Sequence, residues 1–590
     1  MTLSSRRARA ATALVAAAGL ALSALALSGG APAGAAVVDD PVSSSAPGAA
    51  LRLDPLGSYD TGVFDESAAE IVEFYAPLDR LLVVNAAQAR VEVLDAADPE
   101  NPTKLFDLET TGVTSDDGSV IPDGAVANSV AVRKDGLGVV AVESDPKTDN
   151  GWLVFFDAAG DGTALGAVRV GALPDMVTVT PDGTKAVVAD EGEPADDYSV
   201  DPEGSVAVVA LPSTVAAAAQ GDVALADFHA FEGGGLPPGI RVYGGRADAG
   251  TGTPDFPVSE NLEPEYVTVD PTSRKAYVTV QEANGIAVVD LASAAVVNLW
   301  SLGSVDRRVV GFDPSDEDGA ASIGRWPVRG LRLPDAIASY QVKGRTYLVT
   351  ADEGDTRDWE GYSEEVRVKD LGEDGIAPLC DSVAESFGMT VEELTADEAL
   401  GRLKVTKAGG LDPSGLCYRE LHAFGGRDFS VWTTGGRLVS SSGSGFERII
   451  AQALPDYFNS DHAASNFDDR SDDKGPEPEG VAIGQVTGKP YAFVALERVG
   501  GVMVYDLSSP SRPTFVTYLN NRDFAFSGAD LADAGEDIAP AGDLGPEGVK
   551  FVPASSSPTG QPMVAVANEV SGSTTLYAVK VRKHHRGHRR

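Results

Sequence analysis

The sequence predicts an all-β protein: a seven-bladed β-propeller closed by an N-terminal strand, with a small helical insertion pinned by a disulfide. Three observations predict it. One strand-turn-strand pattern recurs seven times, apolar residues alternate at period two inside each copy, and an acid or Asn marks the same two places in every copy.

The chain opens on an address. Arg6, Arg7 and Arg9 form a basic region, Ala13 to Leu27 is an apolar run, and Ala33-Gly34-Ala35 is a small-x-small cleavage site, so residues 1–35 are expected to be a signal peptide. Ser5-Arg6-Arg7 points toward the twin-arginine route, whereas Arg9 stands where that route usually has an apolar residue. General secretion is expected, with the other route left open. Residues 36–50 read as a linker, and residues 51–581 as the propeller.

The repeats follow in order: AEIVEF…LLVVN from Ala69, ANSVAV…VVAVE from Ala127, PDMVTV…AVVADE from Pro174, and PEYVTV…AYVTVQE from Pro264. They continue as PDAIAS…TYLVTADE from Pro334, PEGVAI…YAFVALE from Pro478 and PEGVKF…MVAVANE from Pro546. Each copy breaks at Gly, Pro or Asp, as short antiparallel strands do. Several run on to a third strand, as in GIAVVDL from Gly285 and GVMVYDL from Gly501. The last copy has room for about three strands before the tail, so Leu51 to Tyr59 is expected to return as its outer strand and remove a sheet edge. Uneven spacing marks the insertions. Residues 213–262 read as a surface excursion. Residues 372–428 contain the helix-like MTVEELTADEALGRLKV, with Thr390 as its N-cap and Lys404 near its end. Residues 582–590 read as a solvated basic tail, able to hold the protein loosely to anionic wall polymer.

Charge separates function classes. Against 88 Asp+Glu stand 46 Lys+Arg, a net charge of −42, which argues against nucleic acid and anionic membranes as partners and suits divalent cations. No segment after the signal approaches a membrane span, and a secreted monomer is expected. The two cysteines, Cys380 and Cys417, lack the spacing of a zinc site and bracket the helical insertion, so outside the cytoplasm they are expected to form a disulfide.

The acids carry the chemistry. The start of a blade's first strand lies beside the end of its second. One set of acids falls at the first place (Glu70, Asp175, Glu265, Asp335, Glu479, Glu547), with Asn128 in the remaining copy. A second set falls at the other (Glu143, Glu191, Glu282, Glu353, Glu497, Glu569), with Asn85 in the remaining copy. Any one of them serves as well to cap a turn. Together, on one rim, they would repel strongly unless protonated, paired or bound to a hard cation, and calcium accepts carboxylate and carbonyl oxygens. The expected metal ligands are therefore Glu70, Asp175, Glu191, Glu265, Glu282, Asp335, Glu353, Glu479, Glu497, Glu547 and Glu569. The loops DPSDEDG from Asp313 and FDDRSDDKGPEPEG from Phe467 add oxygen donors without an EF-hand spacing. Arg325, Arg357, Arg448 and Arg470 each lie in a loop or strand that precedes or follows a rim acid and are the candidates for holding a phosphate ester between calcium and guanidinium, although each serves as well to pair with a surface acid. No G-x-S-x-G, P-loop or dinucleotide fingerprint occurs.

The stretches DTGVFDESAAEIV from Asp60, EPEYVTVD from Glu263, TADEGDTRDW from Thr350, EEVRVKDL from Glu364, LPDYFNSD from Leu454 and RSDDKGPEPEGVAIG from Arg470 resemble the choice-of-anchor I family. That family is similar to animal mesenchyme-specific cell-surface glycoproteins. The resemblance implies an exported propeller, with some members described as alkaline phosphatases, and it supplies no catalytic set to carry over. Three functions stand open. The first is a secreted calcium-binding module of the cell surface or matrix that recognises a ligand. The second is a metal-dependent phosphoesterase similar to propeller alkaline phosphatases or phytases. The third is a lactonase-like or surface-layer propeller, in line with TPDGTKAVVAD from Thr180. Whether the chain is an enzyme stays open at this point, and the ligand is either a phosphoester or a cell-wall component.

Overall fold

The computed structural model describes residues 37–244 and 258–582. The expected signal peptide and nearly all of the basic tail lie outside the described residues, as does part of the 213–262 excursion. Among the described residues no helix is long and apolar enough to cross a membrane.

Strands dominate because the repeats alternate or run apolar over four to nine residues and then meet Gly, Pro or Asp. The first sheet shows the plan: Val72–Tyr75, Arg80–Asn85, Arg90–Asp95 and Thr103–Glu109 pair antiparallel in chain order. Its second strand buries Leu81, Leu82, Val83 and Val84 completely, so both faces are covered. The same order recurs from Val126–Val132 to Ala164–Ala172, from Pro174–Val179 to Val223–Ala226, and from Pro264–Val269 to Ala295–Ser301. It recurs again from Ile337–Val342 to Leu438–Ser441 and from Pro478–Val486 to Thr514–Asn520. The last such sheet holds Pro546–Val552, Met563–Asn568 and Ser573–Val581, and its fourth strand is Leu51–Asp60 from the other end of the chain.

The first strands pack against one another in a closed cycle. Val72–Tyr75 meets Val126–Val132, which meets Pro174–Val179, and so on through Pro546–Val552, which returns to Val72–Tyr75. Apolar clusters fill the gaps between neighbouring sheets. Val187, Ala189, Val206 and Val208 of one sheet, for example, pack on Val267, Val278, Ala287 and Val289 of the next. At ~1.5–3 kcal/mol for each large apolar side chain fully buried, this packing is the main force holding sheet to sheet.

Three regions differ from the sequence reading. Inside the expected 213–262 excursion, Val223–Ala226 pairs with Ser205–Ala210 as the outer strand of its sheet. Within the expected linker, Val42–Ser45 is a strand that adds a fifth member to the sheet ending in Thr514–Asn520. The insertion is less helical than its composition predicts. Thr390 does cap a helix, with Glu393 closing a capping box, but that helix is only Val391–Leu394. A wide turn follows at Asp397–Gly401, and Lys404–Thr406 is extended. Tertiary pairing overrides helix propensity there: Lys404–Thr406 pairs with Glu365–Arg367 in an eighth sheet, which also contains Leu421–Ala423, Val328–Leu331 and Ser304–Asp306. The Cys380–Cys417 disulfide ties the residue preceding the short helix Asp381–Glu385 to the base of this insertion.

Candidate metal centre

The repeated acids are positioned by a local irregularity of the backbone. In four sheets a β-bulge interrupts pairing right after the first residue of the first strand, between Pro174 and Met176, Pro264 and Val267, Pro478 and Val481, and Pro546 and Val549. Asp175, Glu265, Glu479 and Glu547 are residues of those bulges, and Asn128 occupies the same place between Ala127 and Ser129. A bulge carries an extra residue that escapes the pleat, so its side chain is aimed independently of strand alternation. Glu70 and Asp335 lie just ahead of their strands.

Three members of the second set, Glu191, Glu497 and Glu569, are held by the residue that precedes the bulged strand. Leu173, Glu477 and Gly545, each preceding a strand-opening Pro, have left-handed backbone with φ of 44°, 47° and 64°. Their carbonyls accept the N–H groups of Glu191, Glu497 and Glu569 at 2.8, 2.9 and 2.8 Å. Such a conformation is costly for Leu and Glu and persists only where its surroundings hold it. Glycine supplies the last requirement. A Cβ on Gly480 would collide with the Glu547 carbonyl, and one on Gly548 with the Glu70 carbonyl, so Pro-Glu-Gly lets successive first strands approach closely.

The result is an arc of carboxylates. Oxygens of Glu70, Glu547 and Glu569 lie within 4.8 Å of one another; so do ligand atoms of His462, Glu497 and Glu569, and those of Glu353, Glu477 and Glu497. Glu479 sits among them at 3% exposure, and its Oε2 is buried and accepts no hydrogen bond from the described residues. Burial first, then Glu353, Asp335, Glu497 and Glu547, raises the Glu479 carboxyl well above the usual carboxylate range. On the other side, burial and then Glu193, Glu265, Asp175 and Glu282 raise Glu191 likewise, and burial with Glu263 raises Glu282. The Tyr266 hydroxyl is raised by burial and by Asp335, Asp175, Glu547 and Glu73, acids from four different repeats. Glu143 is pushed up to about 7, chiefly by burial.

Part of the arc carries its own cations, of which the sequence reading named Arg470 and missed Lys474 and Arg498. The buried Lys474 ammonium lies 2.8 Å from Glu353, 3.0 Å from Asp355 and 3.4 Å from Glu477. Glu477 also receives Arg470 at 2.6 Å and Arg498 at 3.0 Å. Burial raises the Glu497 carboxyl, but the Arg498 charge and a hydrogen bond from His462 outweigh it and hold the group below its ordinary value. Lys474 and Glu477 stand in the quoted RSDDKGPEPEG motif; their proximity to Glu479 was visible, their role was not.

The candidate arginines find three different settings. Arg357 is buried and donates to the carbonyls of Tyr243 and Asn261 and to Glu263, the last at 2.7 Å. Arg470 bonds Glu477 and Asp473. Arg325 and Arg448 are exposed. The two acidic loops meet: ligand atoms of Asp313, Asp318 and Asp468 lie within 4.8 Å of one another. Burial, against the lowering effect of the Ser471 hydrogen bond and with help from Asp313 and Asp318, leaves Asp468 pushed up to about 8, and burial, Glu447 and Asp318 push Asp313 up to about 7.

The sequence profile of the Choice-of-anchor I domain matches residues 70–510, most of the chain. The chain belongs to the choice-of-anchor I family. This family member is 31% identical over 205 residues to Gigasin-3a of Magallana gigas, an alignment covering 32% of the chain and 68% of that protein. It is 28% identical over 281 residues to the mesenchyme-specific cell surface glycoprotein of Strongylocentrotus purpuratus, covering 42% of the chain but only 35% of that protein. Among solved structures, hydrazine synthase of Kuenenia stuttgartiensis aligns over 89% of the chain and 100% of its own, with TM-score 0.42 and 14% identity. Streptogramin B lyase aligns over 90% and 98%, with TM-score 0.41 and 8% identity. Likeness of that grade carries no chemistry to this choice-of-anchor I protein.

Proposed function

We propose that this protein is an extracellular or cell-surface seven-bladed β-propeller that binds calcium at one mouth of its ring and recognises a ligand there. The carrying observation is the approach of Glu70, Glu547 and Glu569, three carboxylates from two adjoining repeats with oxygens within 4.8 Å. Hard oxygen donors at that separation suit calcium, whose ligands stand at ~2.3–2.6 Å from the ion. The closed cycle of first strands supports the propeller, and the sea-urchin relative, named as a cell-surface glycoprotein, supports the location.

Binding is favoured over hydrolysis because the arginines nearest the rim acids are already engaged. Arg470 and Arg498 bond Glu477, and Arg357 bonds Glu263. Titrating calcium chloride into chelator-treated protein by calorimetry, then assaying a panel of phosphoesters with and without calcium, tests the reading. Saturable calcium binding without phosphoester cleavage supports it. Calcium-dependent cleavage replaces the binding module with a phosphoesterase.

A further inference from the structure

The loops beginning at Asp313 and at Phe467 are remote in sequence and meet in a cluster that includes none of the repeated acids. A buried guanidinium assembles them. Arg427 donates to the Asp313 carbonyl at 2.7 Å in one loop, and to the Ser471 and Asp473 carbonyls at 2.7 and 2.8 Å in the other. It also donates to Glu447 at 2.8 Å. Every donor used there is turned to carbonyls or to Glu447, so the loops are fixed without neutralising their aspartates.

The aspartates divide into two groups. Asp316 pairs with Arg402, Asp472 with Arg367 and Arg402, and Asp473 with Lys404 and Arg470. Asp313, Asp318 and Asp468 make no ion pair among the described residues, although Asp313 and Asp468 are wholly buried. Their own hydrogen bonds come only from neutral groups. Asp313 receives the N–H groups of Ser315 and Ser322, Asp318 that of Ala320, and Asp468 Oδ1 the Ser471 hydroxyl. Asp468 Oδ2 is buried and accepts no hydrogen bond from the described residues. An unpaired buried carboxylate oxygen is costly, and the fold places two more carboxylates beside this one instead of a base.

We infer that Asp313, Asp318 and Asp468 form a second divalent-cation site, for calcium, that clamps the two loops together. The three ligand atoms lie within 4.8 Å of one another, so small side-chain movements bring all three to the ~2.3–2.6 Å of a calcium–oxygen bond around one ion. Asp318, half-buried at the edge, leaves a side from which the ion and its remaining water ligands can enter. The loop bearing Asp468 continues into Arg470 and Lys474, which brace the rim acids, so an ion here would steady that bracing without belonging to the rim.

The test compares full-length protein with Asp318→Asn, Asp468→Asn and a rim variant, Glu547→Gln/Glu569→Gln. Each is stripped with chelator, dialysed against calcium chloride and assayed for bound metal and by calorimetry. The inference predicts that Asp318→Asn and Asp468→Asn each lose one equivalent of calcium, or bind it at least tenfold more weakly, while the rim variant keeps that equivalent. Because this difference is counted against each parent, it holds whether or not the rim binds. Asp318 is half-buried and forms no ion pair, so its variant reports even if Asp468→Asn fails to fold. Unchanged stoichiometry and affinity in Asp318→Asn would overturn the inference, as would a wild-type protein that takes up no calcium beyond what the rim variant abolishes.

Discussion

Lys474 donates its ammonium to Oε1 of Glu353 at 2.8 Å, with side-chain exposures of 1% and 2%. The two residues are 121 positions apart, and the same ammonium reaches Asp355 and Glu477. One stretch of the rim is therefore balanced by the protein's own bases. The stretch of Glu70, Glu547 and Glu569 is where calcium is proposed.

Replacing Lys474 by Met removes one partner of a buried pair and leaves several carboxylates facing each other. Breaking such a pair costs about 3–5 kcal/mol. Urea unfolding of Lys474→Met should show a midpoint lowered accordingly; an unchanged midpoint would mean that the rim acids are protonated and need no base.

Closure by the N-terminal segment rests on Leu51 and Leu53, which are 1% and 4% exposed in the strand paired with Ser573–Val581. Leu51→Ala or Leu53→Ala should cost about 2–5 kcal/mol, as truncation of a buried Leu does. Deleting residues 37–60 removes both this strand and Val42–Ser45, exposes two sheet edges and should lower the melting temperature further. A deletion that melts like the parent contradicts this role.

The Cys380–Cys417 disulfide closes a loop with a sequence separation of 37. Chain-entropy arguments give such a crosslink about 4 kcal/mol. Cys380→Ser/Cys417→Ser should leave the insertion susceptible to limited proteolysis at denaturant concentrations the parent resists. Two thiols titrating in unfolded, non-reduced protein would show that the crosslink is not made.

Asp543 gives a pH dependence with a definite sign. Burial raises its carboxyl, only partly offset by hydrogen bonds from Tyr577, Thr575 and Ser573. The native state then holds this proton more tightly than the unfolded chain. Its contribution favours folding below the unfolded carboxylate pKa of ~4 and is lost as pH rises through the higher folded value. Asp543→Asn should remove that component, so the difference in unfolding free energy between variant and parent should shift in the variant's favour as pH rises from ~4. A difference independent of pH would contradict it.

The repeats made the architecture legible because each copy carries its own strand periodicity and its own acid. Asp175, Glu265, Glu479 and Glu547 follow a Pro in the sequence and occupy a bulge in the fold. What escaped reading is non-local. The eighth sheet is assembled from strands of three or four residues drawn from separate connections, including a parallel pairing of Val328–Leu331 with Leu421–Ala423. Segments that short carry no periodicity of their own. Lys474 was illegible as a neutralising base for the same reason, since nothing near Glu353 in sequence announces it. The helix expected to reach Lys404 stopped early because that residue pairs with Glu365 at 2.6 Å and with Asp473 at 3.2 Å.

The central claim is that the rim acids bind calcium, and thermal unfolding after chelation tests it most directly. Binding to the native state alone stabilises it by about 2.7 kcal/mol at free ligand 100 times the dissociation constant. Chelator-treated protein should melt at a lower temperature, recover when calcium is restored, and recover by less in Glu547→Gln/Glu569→Gln, which should also bind less calcium. A wild-type melting curve indifferent to both chelator and calcium, in protein that analyses as metal-free, would contradict the account and leave the rim as protonated and base-paired acids.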